Sequence, residues 1–554
     1  MSESLAIALA QINPVVGDID GNAELVRAAR REAADGGADL VVFGELAMSG
    51  YPPEDLVLKP AFQERVEACL AGLAAETADG GPALLVGAPW RQDARLHNAA
   101  LLLDGGEIAA VRLKHELPNY GVFDEKRVFT SGPLPGPVSF RGARLGVMMC
   151  EDMWIPDVAE CLKESGAGIL VVLNGSPFES DKLDERLNHA VARVRESGLP
   201  LIYVNLVGGQ DEVVFDGASF VLGADCALLA EAASWRPRVL LTRWRSASGE
   251  NWICEPATIE PRPEGQEAVY RAMVTGLRDY VDKNRFPGVV LGLSGGIDSA
   301  LTAAVAVDAL GAARVRCVMM PSPHTSDESL EDAAAIAKLL QTTLDTIPIE
   351  PAMEAFGTML AGVFTGHEAD VTEENIQARA RGLVLMAISN KLGHMVLTTG
   401  NKSEMAVGYA TLYGDMSGGY SVLKDVYKTA VFALARWRNQ ARPEDFLGPA
   451  GRVIPERVVT KPPSAELRPD QTDQDTLPPY EDLDAILGAL IEGERSVADL
   501  EADGFDAQVV RKVWHMVDRA EYKRRQAPPG VKITRRAFGR DRRYPITNRF
   551  PDLV

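Results

Sequence analysis

Three residues in the first half of the chain stand just past the ends of apolar runs, where side chains can do chemistry. Glu45 follows Leu40-Val-Val-Phe-Gly, Cys150 follows Leu145-Gly-Val-Met-Met, and Lys114 opens Lys-His-Glu-Leu-Pro-Asn-Tyr120. In α/β proteins the carboxyl ends of strands are where sites assemble. A cysteine there can be a nucleophile, but a free thiol of pKa ~8.5 is only a few per cent thiolate at pH 7. It needs a base, which Glu45 can be, and a cation to hold the oxyanion, which Lys114 can be. Losing one oxyanion donor typically costs about 3–4 kcal/mol of transition-state stabilisation. Taken singly, each residue also has a plain structural reading. Glu before a turn serves as a helix cap or half of an ion pair, and Cys after a strand belongs to the core.

A second constellation is Val289-Val-Leu-Gly-Leu-Ser-Gly-Gly-Ile-Asp-Ser-Ala300, an apolar strand and a glycine-rich turn before a helical run over 300–310. Along Gly292, Leu293, Ser294, Gly295, Gly296, Ile297, Asp298 and Ser299, backbone N–H groups can converge on an anion, and the helix N-terminus adds partial positive charge. Ser294 and Ser299 add hydroxyls, and Asp298 can hold Mg²⁺ against phosphate oxygens. The loop lacks the Gly-Lys-Ser/Thr ending of a Walker A motif and is not GxGxxG. A Gly-Gly turn before a helix is also commonly just a tight connection.

The elements that must position these residues alternate along the chain. Runs at 5–10, 40–43, 83–87, 99–103, 145–149, 169–173 and 201–207 read as strands, and 24–35 and 183–197 carry helical apolar spacing. Several strands are apolar almost throughout, which suggests sheets buried on both faces. A shift to Ser, Gly and Pro places a first domain at 1–245, a linker at 246–265 and a second α/β domain at 266–554. The second opens with a helix over 266–284 and a strand over 289–293. Pro462-Pro463 and Pro478-Pro479 punctuate a stretch that reads as irregular before a short helical segment and a basic end.

At 554 residues the chain exceeds one hydrophobic core, and a net charge of −21 argues against general nucleic-acid binding. The span 511–549 runs the other way, with thirteen Lys and Arg against Asp518, Glu521 and Asp541. Six scattered cysteines without metal spacing fit a reduced cytoplasmic setting, and no apolar run approaches the ~20 residues of a membrane-spanning helix.

The flanks of the first constellation are specific. Phe43-Gly-Glu45, Gly50-Tyr-Pro, Leu117-Pro-Asn-Tyr-Gly-Val-Phe-Asp-Glu125 and Gly146-Val-Met-Met-Cys-Glu-Asp152 resemble the nitrilase (carbon–nitrogen hydrolase) superfamily. That resemblance implies an α-β-β-α sandwich and amide cleavage through a cysteinyl thioester, with Glu45, Lys114 and Cys150 catalytic. It further implies that Tyr120, Ser176 and Lys182 bind the substrate L-glutamine.

The glycine-rich turn resembles the ATP-pyrophosphatase loop, whose enzymes cleave ATP between the α and β phosphates. The downstream text Glu374-Asn-Ile-Gln-Ala-Arg-Ala-Arg381, Leu397-Thr-Thr-Gly-Asn-Lys-Ser-Glu404, Gly408-Tyr-Ala-Thr-Leu-Tyr-Gly-Asp415, Leu423-Lys-Asp-Val-Tyr-Lys428 and Glu521-Tyr-Lys-Arg-Arg is similar to NAD synthetases. The whole chain resembles the family that fuses such a ligase to a glutaminase. The resemblance implies a doubly wound parallel sheet (Rossmann-like, of the adenine nucleotide alpha hydrolase kind). It implies Thr399 and Lys428 on ATP, and Asn375, Arg379, Glu404, Asp415 and Lys523 on deamido-NAD. Asp298 and Glu404 would hold Mg²⁺, the two sites would be joined by a dry ammonia channel, and the chain would form homo-oligomers through the synthetase domain. Outside these motifs, Asn375 and Glu404 also read as helix caps, and Arg379 and Arg381 as an exposed helix face. Two rival readings stay open: an amidase fused to a different adenylating ligase, and an inactive nitrilase-like scaffold.

Overall fold

The computed structural model describes residues 3–180, 182–246, 251–468 and 471–549, with the backbone alone at 3 and 182–184. The chain divides into two units, Met1–Pro263 and Glu264–Val554.

The first unit holds two large sheets. One has seven strands in the order Trp252–Cys254, Arg238–Ser246, Glu3–Gln11, Leu40–Phe43, Ala83–Gln92, Arg95–Asp104 and Glu107–Leu113. The other has six, in the order Leu228–Glu231, Phe220–Leu222, Leu201–Asn205, Ile169–Asn174, Ala143–Met149 and Val138–Phe140. Alternate side chains explain the layering. Ile7, Leu9, Val42 and Leu85 meet Leu145, Val147, Val171 and Val204 in one core between the sheets. Their strand neighbours Ala8, Val41, Phe43 and Val86 pack outward on Val26 and Leu70, from the helices Ile19–Asp35 and Pro60–Glu76. On the far side Met148, Leu170 and Val172 pack on Val158, Leu162, Ala190 and Val194, from Pro156–Glu164 and Lys182–Ser197. The result is an α-β-β-α sandwich with every central strand covered on both faces, hence the near-continuous apolar runs.

Part of the stretch expected to be a linker is built into this unit. Trp252–Cys254 pairs with the end of Arg238–Ser246, and Trp252 and Cys254 are buried between the sheets. Three residues of strand are too short for a periodicity signal.

The second unit is built on five parallel strands ordered Thr343–Thr346, Val315–Met319, Val289–Gly292, Met395–Thr398 and Tyr420–Ser421. Chain order therefore reverses between Val289–Gly292 and Met395–Thr398, and that switch point opens a crevice at their carboxyl ends. Leu385 of the helix Val371–Leu392 packs on Val290, Val318 and Val396 to cover one face. Helix Ile297–Leu310 leaves the glycine-rich turn at the end of Val289–Gly292.

The stretch between the two proline pairs is irregular as expected, with only the short turn Asp473–Asp475 among its described residues, but the helical segment after it is longer than expected. Pro479 is the N-cap residue of helix Tyr480–Ile491, which is followed by Val497–Ala502 and Ala507–Arg519. Leu483, Leu487, Leu500, Val510, Val513 and Val517 close one core with Met405 and Ala406. Short helices carry too few turns for a clear period, and tertiary packing stabilises them.

Candidate active sites

In the first unit, the turn after Leu40–Phe43 is pressed against the neighbouring strand. A Cβ at Gly87 would lie 2.5 Å from the Leu46 nitrogen, so only glycine fits there. Glu45, held in that turn, accepts from Lys114 Nζ at 2.6 Å and from Asn98 Nδ2 at 2.8 Å through Oε1. Its Oε2 accepts the Gly175 N–H at 3.1 Å. Lys114 Nζ also lies 2.9 Å from both oxygens of Glu125, whose Oε1 accepts the Tyr51 hydroxyl at 2.9 Å. Glu45 and Lys114 are fully buried. Cys150 begins the short turn Cys150–Met153 with φ of 42°, a left-handed conformation unusual for a residue with a side chain.

Burial pushes the Cys150 thiol well above its ordinary pKa; the Glu45 charge adds to this and the Lys114 charge opposes it. Burial works against the Lys114 ammonium, but the charges of Glu125 and Glu45 overcome it and hold Lys114 well above its usual range. The Glu125 carboxyl is raised by burial against the pull of Lys114. A protonated thiol thus rests beside a permanent cation and an excess of carboxylate, an arrangement able to take the thiol proton as attack begins.

Glu45, Lys114 and Cys150 are therefore brought together as expected. Tyr120 is half-exposed and donates to Glu151 at 2.9 Å. Ser176 is buried, its N–H on Asn205 Oδ1 at 3.0 Å and its hydroxyl accepting from Arg186 Nε at 3.1 Å. The Lys182 side chain lies outside the described residues. Glu125 and Asn98 were not singled out by sequence. Glu125 sits eleven residues past Lys114 in a stretch with no periodicity, so only the fold places it on the ammonium.

In the second unit the glycine-rich turn lies at the switch point. Gly295 has φ of 86°, and a Cβ there would lie 2.4 Å from the Ser329 carbonyl oxygen. Ser299 Oγ accepts the Ser294 N–H at 3.2 Å and lies 3.1 Å from Ser294 Oγ. Residues 292–299 line a cavity of about 310 Å³ together with Thr399, Glu404, Asp415 and Lys428. Lys428, the first residue of helix Lys428–Gln440, donates to Asp298 at 2.5 Å and to Glu404 at 3.3 Å. Asn401 Nδ2 adds a bond to Asp298 Oδ1 at 2.9 Å.

The helix-cap reading of Glu404 holds, and the same side chain also lines the cavity. It accepts the Asn401 N–H in a capping box and faces Lys428 with its other oxygen. Burial pushes its carboxyl up to about 8, against the pull of Lys428. Mg²⁺ is commonly held by one or two carboxylates plus substrate phosphates, and Asp298 with Glu404 beside the cavity fits that donor set. Among the described residues no group of three or more His, Cys, Asp or Glu forms a metal cluster.

The four other residues expected on deamido-NAD gather on one segment, 408–415. Asn375 Oδ1 accepts from Thr411 Oγ1 at 2.9 Å, Arg379 Nε donates to the Leu412 carbonyl at 3.2 Å, and Asp415 accepts the Thr411 N–H at 2.8 Å. Lys523 Nζ donates to the carbonyls of Gly408 and Ala410 at 2.8 and 2.6 Å. Asp415 lines the cavity; Asn375, Arg379 and Lys523 bond to the segment without lining that cavity. Arg381, Lys461 and Asp473 also line the cavity and were not assigned from sequence. Much of the basic end is neutralised locally: Lys532 pairs with Asp541 at 2.7 Å, and Arg524 and Arg542 share Glu521 at 2.8 and 3.1 Å.

A buried acid–lysine–thiol cluster at the ends of a nitrilase-type sandwich, followed by a glycine-rich turn lining a cavity at a parallel-sheet switch point, is the arrangement of an amide hydrolase joined to a nucleotide-dependent ligase. Residues 6–253 match the carbon–nitrogen hydrolase family and residues 269–527 match NAD synthase. The chain is 51% identical to the glutamine-dependent NAD(+) synthetase of Rhodobacter capsulatus and 45% identical to that of Acinetobacter baylyi. These matches cover 100% of both chains in the first case and 99% of both in the second. The solved structure of glutamine-dependent NAD+ synthetase from Acinetobacter baumannii in complex with ADP superposes with a TM-score of 0.79 at 42% identity, covering 98% of each chain. The chain belongs to the glutamine-dependent NAD(+) synthetase family. It is a carbon–nitrogen ligase that amidates deamido-NAD with nitrogen from glutamine and uses ATP as a substrate.

Proposed function

We propose that Cys150, Glu45 and Lys114 carry the glutaminase half-reaction and that the 292–299 turn with Lys428 carries the ligase half-reaction. The observation that supports this most is the 2.6 Å ion pair of Glu45 and Lys114, fully buried beside the Cys150 turn. Cys150 Sγ attacks the glutamine carboxamide carbon as Glu45 takes the thiol proton, and the Lys114 ammonium holds the oxyanion. Glu45 returns the proton to the leaving nitrogen, ammonia departs, and water then cleaves the glutamyl thioester to glutamate and free thiol. Glu125 keeps Lys114 charged and aimed, while Tyr120, Ser176 and Lys182 bind the amino-acid end of glutamine.

In the second unit the N–H groups of the 292–299 turn and the Lys428 ammonium bind the ATP phosphates, with Thr399 on the nucleotide. The nicotinate carboxylate of deamido-NAD attacks the α-phosphate and pyrophosphate leaves. Ammonia then attacks the activated carbonyl and AMP departs, giving NAD⁺. Mg²⁺ bound by Asp298 and Glu404 would offset phosphate charge. Asp415, Asn375, Arg379 and Lys523 shape the 408–415 segment against the dinucleotide. Ammonia is mostly ammonium at neutral pH, so transfer between the sites calls for a dry internal path.

Exposed Leu383 and Met386, one helical turn apart, together with Met359 and Val363, support homo-oligomers formed through the synthetase unit. Six free cysteines support a cytoplasmic setting, and among the described residues no helix is long and apolar enough to cross a membrane. The test is NAD⁺ formation from deamido-NAD and ATP, with glutamine or ammonium as nitrogen source. Activity with neither source would sink the reading.

A further inference from the structure

We infer that Asp152 is a positioning residue of the glutaminase site, clasping the strand end that carries Lys114 to the turn that carries Cys150. The inference rests on the reading of Glu45, Lys114 and Cys150 given above. Lys114 follows Glu107–Leu113 in the seven-stranded sheet, and Cys150 follows Ala143–Met149 in the six-stranded one. The two strands belong to different sheets, so no hydrogen-bonded ladder sets the distance between the ammonium and the thiol. Asp152, 1% exposed, joins them with one carboxylate. Its Oδ1 accepts the N–H groups of His115 at 3.2 Å and Glu116 at 2.8 Å, the two residues after Lys114. Its Oδ2 accepts the N–H of Met149, the residue before Cys150, at 3.0 Å.

The Met149 bond alone would be an ordinary cap of the Cys150–Met153 turn. The other two span 37 and 36 residues of sequence and serve no cap. They cross from one sheet to the other at the point where the nucleophile and the oxyanion cation must hold register. Cys150 adds a reason for such a clasp: a left-handed conformation persists only where its surroundings over-determine it. Backbone N–H groups favour the ionised carboxylate, the form that accepts at both oxygens.

The test uses the full chain, whose ligase half gives an internal control. Asp152→Asn keeps the shape but turns one oxygen into a donor, which must face either the 115–116 pair or Met149. Asp152→Ser can still cap Met149 but is too short to reach residues 115 and 116. A clasp predicts that both variants lower kcat for glutamate release by about ten- to a hundredfold. KM for glutamine should stay within about threefold, alkylation of Cys150 by iodoacetamide should change its pH profile, and ammonium-driven NAD⁺ synthesis should stay within about twofold. Asp152→Glu should recover more glutamate release than Asp152→Asn. Near-native glutamate release in Asp152→Ser would reduce Asp152 to a cap and overturn the inference. So would an equal loss of both activities in Asp152→Asn and Asp152→Ser, the mark of a folding defect. Glutamate release persisting in Cys150→Ala would instead overturn the site reading itself, whatever the Asp152 variants do.

Discussion

The Lys428 ammonium stands 2.5 Å from Asp298 and 3.3 Å from Glu404, so one buried cation bridges the first turns of two helices in the lining of the cavity of about 310 Å³. Burial works against that ammonium, and Asp298 and Glu404 hold its pKa above the usual lysine range. The charge is therefore permanent, on a side chain that lines the cavity proposed above to receive ATP. Lys428→Met, which keeps length and loses charge, should lower NAD⁺ synthesis about 10²–10³-fold with either nitrogen source, the usual cost of one lost electrostatic contact to a reacting group. Glutamate release measured without ATP should persist. Ammonium-driven synthesis within threefold of the parent would remove Lys428 from the phosphate site.

The two half-reactions should separate by mutation. Cys150→Ala should reduce glutamine-driven NAD⁺ formation to background and leave ammonium-driven formation within about twofold, because the two sets of residues belong to different units. Asp298→Asn should do the converse, crippling both nitrogen sources while glutamate release survives. Retained glutamine-driven synthesis in Cys150→Ala would refute the nucleophile.

Lys523 offers a graded test. Burial lowers its pKa, Asp415 opposes that, and its ammonium is bonded to the Gly408 and Ala410 carbonyls. Lys523→Ala should raise the KM for deamido-NAD by about ten- to a hundredfold, the equivalent of a charge-assisted hydrogen bond of ~1.5–3 kcal/mol. Arg543→Ala, an exposed member of the same basic run, should change it less than twofold. Equal small effects would make the run a solvated face.

Asp308 and Arg438 form a fully buried pair at 2.5 Å, with the Tyr270 hydroxyl donating to Asp308 at 2.7 Å. Asp308→Ala strands a guanidinium in the core and should cost the second unit about 3–5 kcal/mol. Urea unfolding of the full chain should then show one early transition, with glutamate release outlasting ligase activity. A midpoint unchanged from the parent would contradict this.

The pH dependence of Asp152 has a defined sign. Burial raises its carboxyl from 3.8 to about 6, against the three backbone N–H groups. A raised folded-state pKa means that the group's stabilising contribution is fully present below pH 3.8 and is lost as pH rises through about 6. The difference amounts to about 3 kcal/mol of stability. Glutamate release should run the opposite way, falling as acid removes the accepting carboxylate. Plotting urea stability against pH between about 4 and 7 for the parent and Asp152→Asn checks it, since the neutral amide should flatten the slope. Identical slopes would rule the assignment out.

What the sequence determined alone was the chemistry-bearing text that sits at element ends. Strand-to-turn junctions at Glu45 and Cys150, and the strand, glycine turn and helix of 289–310, are local features whose apolar runs and backbone needs are written in adjacent residues. Near-continuous apolar runs likewise made strands buried on both faces legible, while the sandwich itself was implied by the nitrilase resemblance. Tertiary structure alone decided the partners. Glu125 reaches Lys114, Asp152 ties residues 115–116 to 149, and Lys428 meets Asp298 across 130 residues of chain. Such contacts have no period, because a side chain's neighbour across a core depends on how whole layers stack. The same holds for Trp252–Cys254 and the helices after Pro479, short elements that packing stabilises where propensity by itself would not.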